Sequence, residues 1–351
     1  MTNQNPLSNQ GLHNITPDDI TAHLSSLLST ANQTGGDSLF IVKTANHWME
    51  QAKNRPIQQM LFAEFWFDSE ICILFADTNL GKSILAVQIG QSIASGKAIP
   101  GFPMQPGAQP VLYFDFELTD KQFEVRYSVN KCAHFEFDEN FLRVEFNHDV
   151  IPPDGQPYED YLTDCLERTL VEKQAKVLII DNLTYLKNET EKAKDALPLM
   201  KRLKALKNKY DLSMLVLAHT PKRDLSKPIS RNDLSGSKML INFCDSAFAI
   251  GESCKDKNLR YLKQIKQRNT EQMYGADNIL LCQIAKPKNF VRFEMTGFGT
   301  EREHLKEPTE KDNSETLQKI AKLNADGLTT REIGRELGIS HTTVGKLLKK
   351  L

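Results

Sequence analysis

The stretch from Ile71 to Ala86 constrains the fold more than any other part of the chain, because it joins three patterns in a fixed order. An apolar run, Ile71 to Phe75, predicts a buried strand. A loop ending in Gly81-Lys82-Ser83 follows, and apolar residues at helical spacing then predict a helix. Strand, loop and helix in this order form the context of a phosphate-binding loop, in which backbone N–H groups and a helix N-terminus hold phosphate. The sequence therefore predicts an α/β fold with a nucleotide site.

The predicted loop supplies the expected nucleotide contacts. They are Ala76, Asp77, Thr78, Asn79, Leu80, Gly81, Lys82, Ser83 and Ile84. Ala76 stands where the usual pattern has its first glycine. Lys82 is expected to reach the β- and γ-phosphates of ATP, and the Ser83 hydroxyl is expected to ligate Mg²⁺. The alternative is a chance Gly-Lys-Ser between a core strand and a helix.

Length and composition set the outer limits. A chain of 351 residues is long enough for one large domain and one small one. Its net charge of −1 gives no overall attraction to nucleic acid, so such binding must come from local patches. The six cysteines form no C-x-x-C pair, which signals neither zinc nor a disulfide framework. The N-terminal residues do not read as a signal peptide, and no apolar run approaches the ~20 residues of a membrane span. A cytoplasmic protein without membrane contact is expected.

Three further apolar runs predict buried strands that lead into polar side chains. They are Val111–Glu117, Val177–Asp181 and Leu212–Ala218, the last followed by His219-Thr220. Open α/β sheets bind ligands at the carboxyl ends of their strands. Glu117 is therefore expected to orient the attacking water, Asp181 to hold Mg²⁺ opposite Ser83, and the His219-Thr220 pair to lie at the same edge of the sheet. Three alternatives stay open: a capping or solvated Glu117, a strand-end cap at Asp181, and a satisfied core-edge histidine at His219.

The segments before the loop are of two kinds. Residues 1–40 are rich in Asn, Gln, Ser and Thr, and they predict a flexible arm with one short helix near Thr16. Residues 43–68 are dense in apolar and aromatic side chains, which predicts a lid packed over the core sheet. Adenine stacking is the alternative for these aromatic rings.

A long polar loop, Pro221 to Lys238, follows the strand that leads into His219. Loops of this length in a compact domain are usually functional or disordered. An excess of Lys and Arg suits contact with a phosphate backbone. The expected DNA contacts are Lys222, Arg223, Lys227, Arg231 and Lys238. Four predicted strands then follow between Ser246 and Glu294, consistent with an antiparallel extension of the sheet.

The C-terminal part predicts a separate small all-α domain. Residues 301–314 are charged and polar and predict a linker. Residues 315–351 predict three helices, the second opened by a capping box at Thr329 to Glu332. Helix, glycine-containing turn and helix resemble a helix-turn-helix, whose last helix presents its N-terminal residues to the major groove. Those residues are His341, Thr342, Thr343 and Lys346. A three-helix interaction module is the alternative.

Four motifs now stand in order along the chain. They are Ala76-x-x-x-x-Gly81-Lys82-Ser83, Val111 to Glu117, Val177 to Asp181, and Val216-Leu-Ala-His-Thr220. Together they resemble the RecA-like ATPases of the RepA hexameric-helicase group, within the broader DnaB, KaiC and RecA set. The resemblance spans about residues 57–296, within a RecA-like ATPase domain placed at 41–300.

This resemblance implies roles for particular residues. Glu117 matches the catalytic glutamate of the family, and His219 matches its γ-phosphate sensor. Lys266 and Arg268 match the basic residues that reach the nucleotide of the neighbouring subunit, with Arg268 as an arginine finger. A solvated strand end is the alternative for Arg268. A homo-oligomer, as a hexameric ring with ATP and Mg²⁺ between subunits, is implied as well.

Three functions are compatible with these features. The first is an ATP-driven ring motor, a RepA-like replicative helicase or mobile-element replication protein, with single-stranded DNA in the ring and duplex on the helix-turn-helix. The second is a DNA-binding regulator in which nucleotide switches assembly. The third is a P-loop kinase, against which the C-terminal domain argues. Stimulation of ATP turnover by single-stranded DNA and unwinding of duplex would separate the first two.

Overall fold

The computed structural model describes residues 40–186, 196–221, 223–234, 237–307 and 310–349. It divides into two units, Met1–Ile57 and Gln58–Leu351. Apart from Phe40, the predicted arm at 1–40 lies outside the described residues, so it stays a prediction. The described part of the first unit holds helix α1 (Ala45–Lys53), which buries none of its side chains. Its N-cap is Thr44, whose hydroxyl accepts a hydrogen bond from the His47 N–H.

A nine-stranded sheet is the centre of the second unit, and two small hairpins stand beside it. The hairpins are β1 (Met60–Phe62) with β2 (Trp66–Phe67), and β5 (Ser128–Val129) with β6 (Ala133–His134). The sheet strands are β3 (Ile71–Ala76), β4 (Val111–Asp115), β7 (Phe141–Val144), β8 (Val177–Asp181), β9 (Ser213–His219), β10 (Ser246–Glu252), β11 (Leu259–Lys266), β12 (Ile279–Ala285) and β13 (Arg292–Gly299). Their spatial order is β13-β12-β11-β10-β3-β9-β8-β4-β7.

The sheet is parallel from β10 to β7 and antiparallel from β10 to β13. This confirms the predicted α/β fold and its antiparallel extension. Strand β9 lies between β3 and β8, and its register places His219 beside Ala76. The register of β4 with β8 places Asp115 beside Asp181. The carboxyl ends that carry the predicted site residues therefore meet along one edge of the sheet.

Helices cover both faces of the parallel strands. They are α2 (Lys82–Ser95), α3 (Asp120–Arg126), α4 (Tyr158–Lys173), α5 (Ala196–Tyr210) and α6 (Ser237–Phe243). Successive strand residues point to opposite faces: Leu74 packs in the cluster that contains Ile89 of α2, while Ile73 packs in the cluster that contains Leu166 of α4 and Leu203 of α5. Because both faces are covered, β3 is apolar along its whole length. Truncating a fully buried side chain here, such as Ile89→Ala, is expected to cost about 2–5 kcal/mol.

The aromatic segment before the loop contributes to this core. Phe62, Phe65 and Trp66 are buried in the same cluster as Ile89, and the Phe62 ring stacks on that of Phe102 with centroids 4.7 Å apart. The packing interpretation is therefore confirmed for these side chains. In α1, the Trp48 and Met49 side chains are 41% and 69% exposed.

The predicted linker at 301–314 differs from the structure in its first residues. Glu301–His304 form a 3₁₀ helix in which Glu301 and His304 are buried. The Glu301 carboxylate pairs with the buried Lys263 ammonium of β11, and it accepts a hydrogen bond from the Ile229 N–H at 2.7 Å. A buried cation requires such a partner, and sequence composition does not reveal this long-range pair.

Three helices follow and pack on one another. They are α7 (Glu310–Ala325), α8 (Thr330–Leu337) and α9 (His341–Leu348). Ile320, Ile333 and Val344, one from each helix, form their buried centre. The predicted capping box of α8 is confirmed, and α8 ends at a left-handed Gly338. No helix within the described ranges is long and apolar enough to span a bilayer.

Candidate nucleotide site

The loop between β3 and α2 requires glycine at one position. Gly81 is the N-cap of α2 and has a φ of +95°, a conformation that L side chains rarely adopt. A Cβ atom there would also lie 2.8 Å from Ile284 Cδ1 and 3.0 Å from Phe293 Cε2. Space and backbone conformation therefore both select glycine, and the first turn of α2 directs free N–H groups toward the loop.

Lys82 folds back across this loop. Its ammonium donates hydrogen bonds to the Ala76 carbonyl at 3.0 Å and the Asp77 carbonyl at 3.3 Å. It also lies 3.2 Å from His219 Nδ1, which acts as an acceptor because an ammonium only donates. Burial lowers the pKa of Lys82, and the carboxylates of Asp181 and Glu117 offset part of that effect. A phosphate bound in the loop would replace these neutral carbonyl groups as the hydrogen-bond partner of the Lys82 ammonium.

A cleft of about 210 Å³ opens at this point. It is lined by Thr78, Asn79, Gly81, Lys82, Ser83, Ile84, Glu117, Arg126 and His219. A second, mainly apolar cavity of about 320 Å³ lies against Phe116, Phe146 and Tyr158. That cavity contains no residue of the loop, so the smaller cleft is the candidate site for the phosphates.

Asp181 is suited to a metal. It is fully buried at the end of β8, and the Tyr113 hydroxyl donates to its Oδ2 at 2.7 Å. Its other oxygen, Oδ1, is buried and has no hydrogen-bond partner among the described residues. Burial raises the pKa of Asp181 to about 6, although the nearby Ser83 hydroxyl and the hydrogen bond from Tyr113 lower it in part. An unpartnered buried carboxylate oxygen near a serine hydroxyl fits Mg²⁺.

The site does not look like an all-protein metal cage. Within the described ranges, no three His, Cys, Asp or Glu side chains are grouped to hold an ion. Mg²⁺ usually takes one or two protein ligands together with water and phosphate oxygens. Ser83 and Asp181 match that pattern, so the residues present fit the predicted metal.

Glu117 lies beyond the end of β4, in a turn that Asp115 holds. The Asp115 carboxylate accepts the N–H groups of Glu117 at 3.3 Å and Leu118 at 3.0 Å. Its other oxygen accepts from Arg143 Nε at 2.9 Å, and Arg143 also donates to the Leu118 carbonyl at 2.7 Å. The predicted strand thus ends two residues earlier than Glu117, at Asp115, because the aspartate side chain turns the backbone.

The Glu117 side chain joins two other predicted positions. Its Oε1 lies 3.2 Å from His219 Nε2, which carries the ring proton because Nδ1 accepts from Lys82. The hydrogen bond from His219 lowers the pKa of Glu117, so the side chain is a carboxylate near neutral pH. The structure therefore brings Lys82, His219 and Glu117 together at the edge of the cleft.

Two site residues were not singled out from the sequence. Asn182 is buried after Asp181, and its Nδ2 donates to Glu117 Oε1 and lies 2.9 Å from His219 Nε2. The peptide bond between Asp181 and Asn182 is cis. Arg126 lines the cleft from the end of α3, and its charge also lowers the pKa of Glu117. The sequence signal for Asn182 was its position directly after the strand-end Asp181. The signal for Arg126 was its place at the end of the helix that the capping box at Thr119 opens.

Arg268 and Lys266 lie at the other end of the sheet. Lys266 pairs with Ala247 at the start of β10, the end where β3 begins. Its ammonium donates to the Ile241 and Cys244 carbonyls, both at 2.6 Å, so it is held within its own chain. Arg268 is 51% exposed and pairs with Asp245 at 3.1 Å. The loop lies at the opposite end of β3, so Arg268 is not part of the cleft of its own chain.

The predicted DNA contacts fall into two groups. Lys222 and the side chain of Lys238 lie outside the described residues. Arg231 is exposed, whereas Lys227 donates to the Leu337 carbonyl at 3.2 Å and Arg223 to the Lys227 carbonyl at 3.3 Å. In α9, the predicted contacts are all exposed, three in the first turn and one in the last: His341, Thr342, Thr343 and Lys346. The Ser340 hydroxyl caps α9 by accepting the Thr343 N–H at 3.0 Å.

Comparison with known proteins adds the family. A family model described as an AAA domain matches residues 42–224, slightly more than half of the chain. The chain belongs to this AAA domain family. The matched span contains Lys82, Glu117, Asp181 and His219, so the cleft is that of a P-loop ATPase. No curated protein matches the chain.

Solved structures also match. One is the crystal structure of a KaiC-like protein from the hyperthermophilic archaeon Pyrococcus horikoshii. It is 14% identical over 68% of this chain and 100% of its own, with a TM-score of 0.48.

Proposed function

We propose that this member of the AAA domain family is an ATP-hydrolysing, ring-forming motor that acts on DNA, as a RepA-like replicative helicase or a mobile-element replication protein. The observation that carries the proposal is the separation between Arg268 and the cleft. An exposed arginine at the amino end of the parallel strands cannot serve the cleft at their carboxyl end, but it can serve the cleft of a second copy. A ring of copies satisfies this arrangement at every interface.

The residues of one chain account for most of the chemistry. Glu117 accepts a hydrogen bond from water, whose oxygen bonds to the γ-phosphorus as the bond to the β–γ bridging oxygen breaks. The water proton passes through Glu117 to solvent. Lys82 stabilises negative charge on the phosphate oxygens. Ser83 and Asp181 would hold Mg²⁺, which neutralises phosphate charge when bound. Arg268 of a neighbouring copy would add positive charge in the transition state.

Two features support DNA as the substrate of the motor. Helix α9 presents an exposed histidine and two exposed threonines in its first turn and an exposed lysine in its last turn, which suits the major groove. The segment after His219 carries exposed Lys227 and Arg231, which suits single-stranded DNA in the ring. Because this segment follows the γ-phosphate sensor directly, hydrolysis would move it along the strand.

One contact favours a second candidate, a nucleotide-switched DNA-binding regulator. Lys227 donates to the Leu337 carbonyl at the end of α8, which links the segment after His219 to the C-terminal helices. In that reading, nucleotide repositions α9 and no strand is moved.

ATP turnover with and without single-stranded DNA tests the proposal. We expect DNA to stimulate the steady-state rate, and Lys82→Ala, which removes the phosphate-binding cation, to abolish turnover under both conditions. Unwinding of a forked duplex provides the second readout. Slow turnover that DNA does not change, together with intact duplex binding, would contradict the motor and support the regulator.

A further inference from the structure

The segment Gln267-Arg268-Asn269 is held by three separate anchors at the amino end of the parallel strands. Gln267 Nε2 donates to the Glu64 carbonyl at 2.7 Å. Arg268 Nη1 donates to Asp245 Oδ1 at 3.1 Å, and Asn269 Nδ2 donates to Glu70 Oε1 at 2.7 Å. The segment follows the last residue of β11 and is exposed at Arg268 and Asn269. Because three consecutive side chains are anchored, the direction in which the exposed Arg268 guanidinium points is fixed.

The two acidic anchors are themselves fixed to the central strands. Asp245 Oδ2 accepts the Ile71 N–H at 3.0 Å, and the Asp245 N–H donates to the Ile71 carbonyl at 2.8 Å. Glu70 is buried and accepts a hydrogen bond from the Ser246 hydroxyl at 2.7 Å. Ile71 begins β3, and Ser246 begins β10. Both anchors therefore belong to the rigid middle of the sheet.

The ion pair leaves Arg268 able to bind a second anion. A guanidinium has five N–H donors, and only Nη1 is bonded to Asp245. The Arg268 side chain is 51% exposed and the Asp245 side chain is 17% exposed, and a pair whose cation is open to solvent contributes little to folding stability. The other N–H groups of the guanidinium have no hydrogen-bond partner among the described residues, so the pair orients a cation whose remaining donors can bind a second group.

We propose that Asp245 is a positioning residue for Arg268, and that Asp245, with Glu70 acting through Asn269, aims the guanidinium at the nucleotide held by a neighbouring copy. This inference rests on the proposed function, because it requires active sites shared between copies. Asp245 lies at the amino end of β3, away from the cleft of its own chain, and in this inference it acts only through Arg268. A defect at Asp245 is therefore a defect in what a chain supplies to its neighbour, not in its own cleft.

Mixing of variant chains tests this directly. The Lys82→Ala chain has an inactive cleft and an intact Arg268, whereas the Asp245→Asn chain has an intact cleft and a misdirected Arg268. An asparagine can still accept the Ile71 N–H through its amide oxygen, so the start of β3 is retained. We expect Asp245→Asn alone to lower kcat about tenfold with little change in KM, since a transition-state contact is weakened. We expect mixing with Lys82→Ala to raise the rate above that of either variant alone.

Three further variants complete the design. Arg268→Ala must also be rescued by Lys82→Ala if active sites are shared. Asn269→Ala releases the segment from Glu70 without touching β3, and it is expected to behave as Asp245→Asn does. In the double variant Asp245→Asn/Arg268→Ala, the rate is expected to equal that of Arg268→Ala, because the two residues act as one unit.

The outcomes separate the inference from the proposed function. Rescue of Arg268→Ala but not of Asp245→Asn and Asn269→Ala would overturn the inference and leave shared active sites intact. Additive losses in the double variant, or full activity of both Asp245→Asn and Asn269→Ala, would overturn it as well. Absence of rescue for Arg268→Ala would contradict the shared active sites, and the inference would fall with them.

Discussion

At the scale of single residues, the two neighbouring acids Asp115 and Glu117 are held in different ways. Glu117 was predicted from its position after an apolar strand, and the structure places it at the cleft with His219 and Asn182. Asp115, two residues earlier, is occupied by Arg143 and two backbone N–H groups. These contacts commit the Asp115 carboxylate to holding the turn, which supports Glu117 as the proposed partner of the attacking water.

Replacing Glu117 tests this assignment. We expect Glu117→Gln to lower the single-turnover rate of hydrolysis by about 10²–10⁴, because a carboxamide cannot take up a proton from water. Nucleotide binding should be retained, because Lys82 and the loop are unchanged; a fluorescent ATP analogue measures it. Glu139→Gln, an exposed acid elsewhere, is the matched control. Equal losses of binding and hydrolysis would contradict the assignment.

Glu70 gives the fold a pH dependence. Burial raises its pKa from 4.5 to about 7, although hydrogen bonds from Ser246 and Phe67 lower it in part. Because the folded state holds this proton more tightly than the unfolded chain, the contribution of Glu70 to stability is full below about pH 4.5 and is lost as the pH rises through 7. We expect the free energy of unfolding to increase by about 1 kcal/mol between pH 8 and pH 6. Urea denaturation measures it, and an unchanged slope in Glu70→Gln would contradict this origin.

At the scale of elements, the sequence predicted what local patterns encode. The predicted capping box at Thr329 follows from residues three apart and is present, and the structure has a second one of the same spacing at Thr119. The end of β4 was predicted two residues late, because the Asp115 side chain competes with the strand for the N–H groups of Glu117 and Leu118. The 3₁₀ helix at Glu301–His304 was assigned to the linker, because its stabilising partner, Lys263, is distant in sequence.

The contact between Glu301 and Lys263 is expected to anchor the segment after His219. Lys263 also donates to the Ile229 carbonyl at 2.7 Å, and Glu301 accepts the Ile229 N–H. Glu301→Gln leaves a buried ammonium without its counter-charge, which is expected to cost about 3–5 kcal/mol in chemical denaturation. Glu303→Gln, which removes an exposed pair with Lys255, is the control and should change little. Similar effects of the two variants would contradict the anchoring role.

At the scale of the whole molecule, the sequence predicted the α/β class and the edge of the sheet that carries the site. It did not predict that β9 lies between β3 and β8, because strand order depends on long-range pairing. Asn182 and Arg126 were missed for the same reason, because only the folded chain places Asn182 against Glu117 and His219 and Arg126 at the cleft. The placement of Arg268 at the opposite edge follows from β11 running antiparallel to β10. Because of that topology, Arg268 is a candidate for contacting the nucleotide cleft of a second copy.

The most direct test of the account is the ATPase rate per chain as a function of protein concentration, with the mass of the assembly measured under the same conditions. If the cleft is completed by Arg268 of a neighbour, the rate per chain rises with concentration in step with assembly, and Arg268→Ala removes the rise. A rate per chain that is independent of concentration, and equal in dispersed and assembled protein, would contradict a shared active site.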